Sequence, residues 1–508
     1  MGDPCIDKFC SLRKYKRLNP TTLRVVGLLV LEGGIQMSDY LFTRGLVRVG
    51  TSIAQTAWGQ KFFSSTVVSR PFQSMLQRGL LHFLRGNDPV RAKAMADVAN
   101  ITAQLVANIY SQDRPDSVKR TFSLMIRTMA SVSHRDQMRA DCGAGPSFFV
   151  LNPTQRCNLF CYGCYDACGP RGPSLSLDIM DYIVSEMKAD FGIHFVVISG
   201  GEPFMSEDFL KLAALHPDLV FMAYTNGTKI DRNMISELAQ LGNVSPAISL
   251  EGTEAFTDER RGSGYYKRML ELIAALHKAG IIYGFSATYT CKNAEYLASE
   301  EFFRWCIDQG YLYGWLFQYI PIGRHPDLNL MATPEQRFVL GELGRKIRAE
   351  HWPLFVADFW NDGALVDGCI AAGRRYFHIN GAGDIKPCVF AQVAIHDTVQ
   401  MIKEGSGIYH TIADAVSRDP VMVDFRKNQD VLHQEGHYIY RPCTVIDHPH
   451  LFRQICRNIH ARPLTPEQCP PSILEENGEI ARGLDAYSQA YAELIAEKTG
   501  TAVIAAVV

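Results

Sequence analysis

Three cysteines stand on one short segment, Thr154-Gln155-Arg156-Cys157-Asn158-Leu159-Phe160-Cys161-Tyr162-Gly163-Cys164-Tyr165, separated by three residues and then by two. Three thiolates on one tight loop can ligate three irons of a cubic iron–sulfur cluster. The spacing offers no fourth cysteine, so one iron is left open to a substrate or cofactor. A chemical role needs that opening and an electron-storage site avoids it. Two competing readings stay open at this point. Cys168 could seal the cluster as a fourth ligand, or zinc could take the thiols, although zinc sites usually come as paired Cys-x2-Cys knuckles.

The elements around this segment read as an α/β chain. From about residue 146, short β-rich runs alternate with helical patterns. The expected strands are Phe148–Leu151, Phe195–Ser199, Leu219–Thr225, Pro246–Leu250, Tyr283–Tyr289 and Gly314–Ile320. Between them lie helical patterns over Ser176–Lys188, Glu207–Leu215, Arg232–Leu241, Tyr266–Ala279 and Ala294–Gln309. Six strand–helix units imply a parallel sheet with its working loops at the carboxyl ends of the strands. Six are too few for an eight-fold barrel, so an open, partial (β/α)6 barrel is expected over 146–330. Residues 1–145 read as a helical N-terminal region, with Leu76, Leu80, Leu81 and Leu84 at helical spacing. After Gly323 the alternation stops. A helix over Pro334–Ala349, a cysteine-containing extension (331–475) and a terminal helix over about Asn477–Lys498 (within 476–508) complete the reading.

The strand ends carry further motifs. Ser199-Gly200-Gly201-Glu202-Pro203 closes the second strand, Thr225-Asn226-Gly227-Thr228 the third and Ser249-Leu250-Glu251-Gly252 the fourth. Asp258-Glu259-Arg260-Arg261-Gly262 follows, and Tyr319-Ile320-Pro321-Ile322-Gly323-Arg324 ends the sixth. Glycines let backbone approach closely, and Glu202 offers a carboxylate to an ammonium group. In this order, and with Cys157, Cys161 and Cys164 after the first strand, the chain resembles the radical S-adenosylmethionine (SAM) superfamily over about residues 147–325. The resemblance implies a [4Fe–4S] cluster on the three cysteines and SAM held by Gly200, Gly201 and Glu202 at its amino group. It further implies Ser249 and Glu251 at the ribose, and Arg261, with Arg260 as the fallback, at the carboxylate. Relatives often carry an aromatic just before the third cysteine, where this chain has Gly163, which leaves adenine packing to Tyr162 or Tyr165. The implied chemistry is one-electron reduction of the cluster, fed by a donor such as flavodoxin or ferredoxin. SAM is then cleaved reductively, and the resulting radical takes hydrogen from an unactivated C–H bond, with the protein positioning it and excluding water.

A second cysteine set follows the barrel. Thirteen residues separate Cys369 from Gly383, and four separate Gly383 from Cys388. This resembles the opening of the SPASM/twitch extension, which holds auxiliary Fe–S clusters, and reads as a hairpin of Tyr376–Asn380 and Ile385–Val389. The dense cysteine run that completes the pattern is missing. One auxiliary cluster is expected, on Cys369, Cys388, Cys443 and, as fourth ligand, Cys456, against the alternative of structural or zinc-bound thiols. Cys5, Cys10, Cys142, Cys291, Cys306 and Cys469 read as ordinary thiols. His378 and His396 flank the set and read as hydrogen-bonded neighbours. Asp358-Phe359-Trp360-Asn361-Asp362-Gly363 either lines a substrate cavity or caps a loop.

Fourteen cysteines without a signal-peptide pattern point to a reducing cytoplasm. The apolar runs Val25–Leu31 and Thr501–Val508 fall short of the roughly 18–20 residues that span a bilayer. The net charge of −2 hides 20 Lys/Arg against 10 Asp/Glu in residues 1–145. The basic stretch Arg13–Arg17 beside apolar Leu23–Leu31 suits an anionic membrane surface and hence a lipid-like substrate. The SPASM resemblance implies instead a ribosomally made peptide, and a non-catalytic cluster scaffold or redox sensor is the third reading. No P-loop, hydrolase triad or dinucleotide fingerprint is present, and no nucleic-acid partner is expected.

Overall fold

In the computed structural model the β-rich runs pair into one sheet whose strand ends all open toward the cysteine loop. The structure describes residues 145–434, 439–457, 462–464, 473–475 and 478–500, with four helical positions at Lys93, Asp97, Ile101 and Leu105. All of these lie in the compact unit Gly50–Val508. The rest of the expected 1–145 helical region, including Arg13–Arg17 and Leu23–Leu31, falls outside the described residues, as do Cys5, Cys10, Cys142, Cys469 and the 501–508 tail.

Seven parallel strands form the barrel wall in sequence order: β1 (Phe149–Leu151), β2 (Phe195–Ile198), β3 (Val220–Thr225), β4 (Val244–Ser249), β5 (Gly284–Tyr289), β6 (Tyr313–Gln318) and β7 (Phe355–Asp358). Each is short and mostly buried on both faces, as parallel strands covered by helices are. The fold is the α/β partial barrel expected, with a seventh strand beyond the predicted six. β7 is only four residues, Phe-Val-Ala-Asp, too short to show a period.

The helices begin where their caps dictate. Ser176 Oγ accepts from Ile179 N at the start of Leu177–Phe191, which ends on left-handed Gly192. Thr333 and Gln336 make a reciprocal capping box with Pro334 in the first turn of Pro334–Ala349. The expected helix Ala294–Gln309 is instead two, Ala294–Leu297 and Glu300–Asp308. Ser299 Oγ caps the second by accepting from Phe302 N, so a new helix starts there.

The C-terminal extension joins the sheet. β8 (His378–Ile379) runs parallel to β1, with Val150 opposite His378, and β9 (Ile385–Lys386) pairs antiparallel with β8. The predicted hairpin is present in shortened form. Asn380 Oδ1 accepts from Ala382 N and Asp384 N across the turn. The edge of β1 is thus covered rather than left open. A further antiparallel pair, β10 (Val393–Ala394) with β11 (Arg462–Pro463), lies outside the main sheet. Among the described residues no helix is long and apolar enough to cross a membrane.

The terminal helix Glu479–Thr499 and the 440–447 segment are pinned by one buried cation. Arg337 and Asp447 are both 0% exposed, and Arg337 Nη1 donates to Asp447 Oδ1 at 2.5 Å and Nη2 to Oδ2 at 3.1 Å. The guanidinium also lies 4.0 Å from the centre of the Tyr491 ring and donates to the Trp360 carbonyl. A buried pair of this kind adds little beyond its desolvation cost, yet removing one partner strands the other. Arg337→Met is therefore expected to destabilise the chain by about 3–5 kcal/mol, and Arg337→Met with Asp447→Leu by distinctly less. Denaturant melts of the two variants measure this, and equal losses would overturn it.

Candidate active site

The cysteine loop leaves β1 and returns to Leu177–Phe191 as two limbs that pair with each other. Cys157 N donates to the Gly169 carbonyl at 2.6 Å, and Gln155 N to that of Pro173 at 2.9 Å. Four segments from other strand ends then hold the loop. The Gly200–Glu202 backbone docks on it, with Gly201 N donating to Thr154 O at 3.0 Å and Glu202 N to Arg156 O at 2.8 Å. A Cβ on Gly201 would lie 2.1 Å from Arg156 O, so no other residue fits there. After β3, Asn226 Nδ2 donates to Asn158 Oδ1 at 3.1 Å, and Asn158 Nδ2 to Thr228 Oγ1 at 2.8 Å. After β4, Arg260 reaches the carbonyls of Tyr162 and Gly163. After β6, Arg324 N donates to Cys164 O at 2.9 Å, and its guanidinium to the carbonyls of Cys161 and Cys168.

Gly163 has a positive φ of 60°, and a Cβ there would come within 2.5 Å of the Tyr319 ring. Tyr319, at the end of β6, thus occupies the side of the loop that an aromatic before Cys164 would fill. Tyr165 lines the central cavity, its hydroxyl 3.0 Å from Ser199 Oγ. Tyr162 instead carries Lys292 over its ring and is not among the lining residues.

The cavity, about 180 Å³, sits inside the barrel mouth. Cys157, Cys161 and Cys164 line it together with Gly200, Gly201, Ser249 and Arg261. Among the described residues no three His, Cys, Asp or Glu side chains converge on a single metal ion. Cys161 and Cys164 both act on Cys157 across the cavity they line, and three such thiolates suit the attachment of a cubic cluster through three of its irons. The surrounding donors suit a negatively charged sulfur set: Asn226 Nδ2 lies 3.8 Å from Cys157 Sγ, and Arg261 Nη1 lies 4.0 Å from Cys161 Sγ. Burial pushes the Cys157 thiol up to about 11. A hydrogen bond from Cys168 holds Cys164 down to about 6, with the Cys168 thiol pushed correspondingly up. Cys168 also donates to Asp166 Oδ2 at 3.2 Å.

The two acids stand behind the cavity wall. Glu202 is fully buried; Oε1 accepts from Thr225 Oγ1 at 2.7 Å and Phe204 N at 3.2 Å, and Oε2 from Asn226 N at 2.7 Å. Burial raises its carboxyl to about 7 against those hydrogen bonds. Glu251 accepts from Arg260 Nη1 at 2.6 Å and from Arg261 Nε and Nη2 at 2.6 and 2.8 Å. Burial works against its charge, but Arg261 and Arg260 outweigh that and hold the carboxyl below its usual range. Its carboxylate is thus engaged by the two arginines it orients. That pairing was not readable from spacing.

Of the second set, the structure gathers three. Cys388 acts on Cys369, both act on Cys443, and burial is the first cause of the raised thiols of all three. Tyr376 donates its hydroxyl to Cys388 Sγ at 2.8 Å, and Cys443 N donates to Asp447 Oδ2 at 3.0 Å. Cys456 ends the helix Pro449–Cys456, partly buried against the same core as Cys369 and Cys443. His378 is fully buried on β8, where burial and then Lys386 press its imidazole toward neutrality. His396 is exposed and bonds Asp397. In the 358–363 cluster, Asp358 and Asn361 cap their own loop and Asp362 pairs with Arg348, so only Phe359 lines the cavity. Cys291 donates to the Asn329 carbonyl and Cys306 is buried in the core.

A family model of the radical SAM superfamily matches residues 151–305. The chain is 30% identical over 261 residues to mycofactocin maturase MftC from Mycobacterium ulcerans, covering 48% of this chain and 68% of that protein. It is 33% identical over 149 residues to Fe-coproporphyrin III synthase from Methanosarcina barkeri, 28% of this chain and 37% of that one. The chain spans 64% of the length of MftC from Mycobacterium tuberculosis. SuiB from Streptococcus suis bound to S-adenosylmethionine superposes at a TM-score of 0.45 with 16% identity, covering 67% of this chain and 83% of that one. The matched stretch starts on β1, takes in the three-cysteine loop and the strand ends that clamp it, and runs into the second helix after β5; on that ground the chain belongs to the radical SAM superfamily.

Proposed function

We propose that this chain cleaves SAM reductively and acts on a C–H bond of a substrate lodged in the barrel cavity. The observation that carries the reading is that Cys157, Cys161 and Cys164 share one cavity with Gly200, Gly201, Ser249 and Arg261. The three thiols would hold a [4Fe–4S] cluster, as the superfamily does. When bound, cluster and SAM together supply a 5′-deoxyadenosyl radical able to take hydrogen from an unactivated carbon. The chain's own work is positional. Arg261 brings a positive charge to Cys161 and to the open side of the cavity, and Glu251 holds both arginines in place. Gly200 and Gly201 keep the backbone close enough for a ligand's amino group to reach the loop. Glu202 has an unused acceptor site after its three protein donors, and a carboxyl raised by burial gains strongly from an adjacent ammonium.

A ribosomally made precursor peptide is the substrate reading we carry, because MftC, named as a maturase, matches over the greater length. The lipid-like reading rests on residues 1–145, nearly all outside the described residues. A small protein electron donor would reduce the cluster, and Cys369, Cys388 and Cys443 would hold an auxiliary cluster with Cys456 as its fourth ligand.

Three outcomes follow. Anaerobically reconstituted protein with SAM and dithionite will yield 5′-deoxyadenosine and methionine, and Cys157→Ala with Cys161→Ala and Cys164→Ala will abolish both. Cleavage persisting in that variant sinks the reading. Glu202→Gln will weaken SAM binding by about 1.5–3 kcal/mol. With a carboxyl near 7, the parent's SAM affinity will also fall as pH drops below about 7, because a proton must leave before the ammonium binds, by up to about tenfold per unit. Titrations between pH 5.5 and 8 on both proteins decide this, since the variant's profile should be flat. Iron analysis will give about eight per chain with the auxiliary cluster and about four after Cys369→Ala and Cys388→Ala; four in the parent would favour plain thiols.

A further inference from the structure

The cavity is chemically two-sided. Inward positions repeat with period two along the parallel strands, as the pleat requires. On β4 and β5 they are small hydroxyl residues, Ser249, Ser286 and Thr288. On β3 and β6 they are Tyr224, Trp315 and Phe317, each partly exposed to the cavity while Leu316 between the last two is fully buried. Trp315 and Phe317 stack at 12° with centroids 6.3 Å apart, and Tyr224 stands edge-on to both, at 88° and 85°. The belt continues through Phe359, 5.9 Å from Phe317, to Tyr376, which stacks on Phe148 at 9°.

The charge census of the same wall is one-sided too. Among the described residues, Arg260 and Arg261 are the charged side chains on it besides the cysteines; both stand by the cysteine loop and both bond to Glu251, which offsets one of their two charges. Among the described residues no Asp, Glu, Lys or His lines the belt. A charged group placed there would lose its hydration and find no partner, a cost of several kcal/mol. A neutral ring would meet edges and faces already set 5.4 to 6.4 Å apart, within the range that aromatic pairs prefer.

We propose that this cavity takes an uncharged aromatic ring of the substrate, seated between the Trp315–Phe317 face and the hydroxyl side of β4 and β5. The proposal rests on the enzyme reading above and narrows it: in a precursor peptide the group is an aromatic side chain, with the charged termini kept outside. Of the two acids behind the cavity wall, Glu251 is taken by its two arginines and the acceptor site left on Glu202 goes to the SAM ammonium on the reading above, so neither serves a charged amine of the substrate.

The neutral fluorophore N-phenyl-1-naphthylamine reports on such a site in the full chain, without turnover. Its fluorescence should rise on binding. Indole should displace it, n-octanol should need at least tenfold more, and indole-3-acetate should not compete. Phe317→Leu and Phe359→Leu, checked for an unchanged far-UV spectrum, should each weaken the probe fivefold or more. Ser286→Phe, which fills the cavity from the hydroxyl side, should block it even if the leucine variants fold poorly. Equal competition by indole and octanol, or preferential binding of indole-3-acetate, overturns the proposal. SAM cleavage by the unaltered, reconstituted protein is scored separately. Cleavage without probe binding sinks the ring site alone, and probe binding without cleavage sinks the enzyme reading alone.

Discussion

The site depends on how closely the backbone of residues 154–156 lies against that of residues 200–202. Two hydrogen bonds join them, and the Cβ that any residue but glycine would bring to position 201 has only 2.1 Å to Arg156 O. A loop of this length, carrying three thiols, would otherwise cost much conformational entropy to fix. Docked there, it can be gripped by Asn226, Arg260 and Arg324, each from a different strand end. The parallel sheet supplies those ends in one plane, so the barrel is less a container than a set of anchors for one loop.

Charge is arranged by the same economy of position. Burying two guanidinium groups near a cysteine set is costly unless a carboxylate shares the space, and Glu251 does so with hydrogen bonds to both. Arg260 is then free to face carbonyls of the loop, and Arg261 to face a sulfur. A change at Glu251 would therefore act on the thiols without touching them. Glu202 shows the complementary arrangement: with no cation bonded to it, its burial raises the carboxyl, and its hydrogen bonds tie the third strand end to the second.

What could be read from the sequence was what is local. Short β-rich runs located β1 to β6 within a residue or two, and the three-cysteine spacing located the loop. Glycine pairs announced a close approach, though not that the loop's own carbonyls would be the neighbours of Gly200 and Gly201. What escaped was set by distant partners. β7, four residues long, pairs along the edge of β6, and β8, expected only as one arm of a hairpin, pairs with β1. The Glu251–Arg260–Arg261 cluster needed the helix Glu254–Arg261 to bring position 260 back over position 251, and the Tyr319 ring beside Gly163 joins residues 156 apart.

The extension is more than an appendage to the barrel. β8 lies on β1, so the hairpin that carries Cys388 is part of the same sheet as the cysteine loop. Tyr376, just before β8, presents its ring to the cavity and its hydroxyl to Cys388 Sγ at 2.8 Å. Phe390, two residues beyond Cys388, packs 4.9 Å from Trp360 and edge-on to Tyr165. Any rearrangement at the second thiol set must therefore move aromatic rings of the cavity wall, because packed interiors transmit displacements rather than absorb them. The two cysteine sites are mechanically joined through the space where substrate would sit.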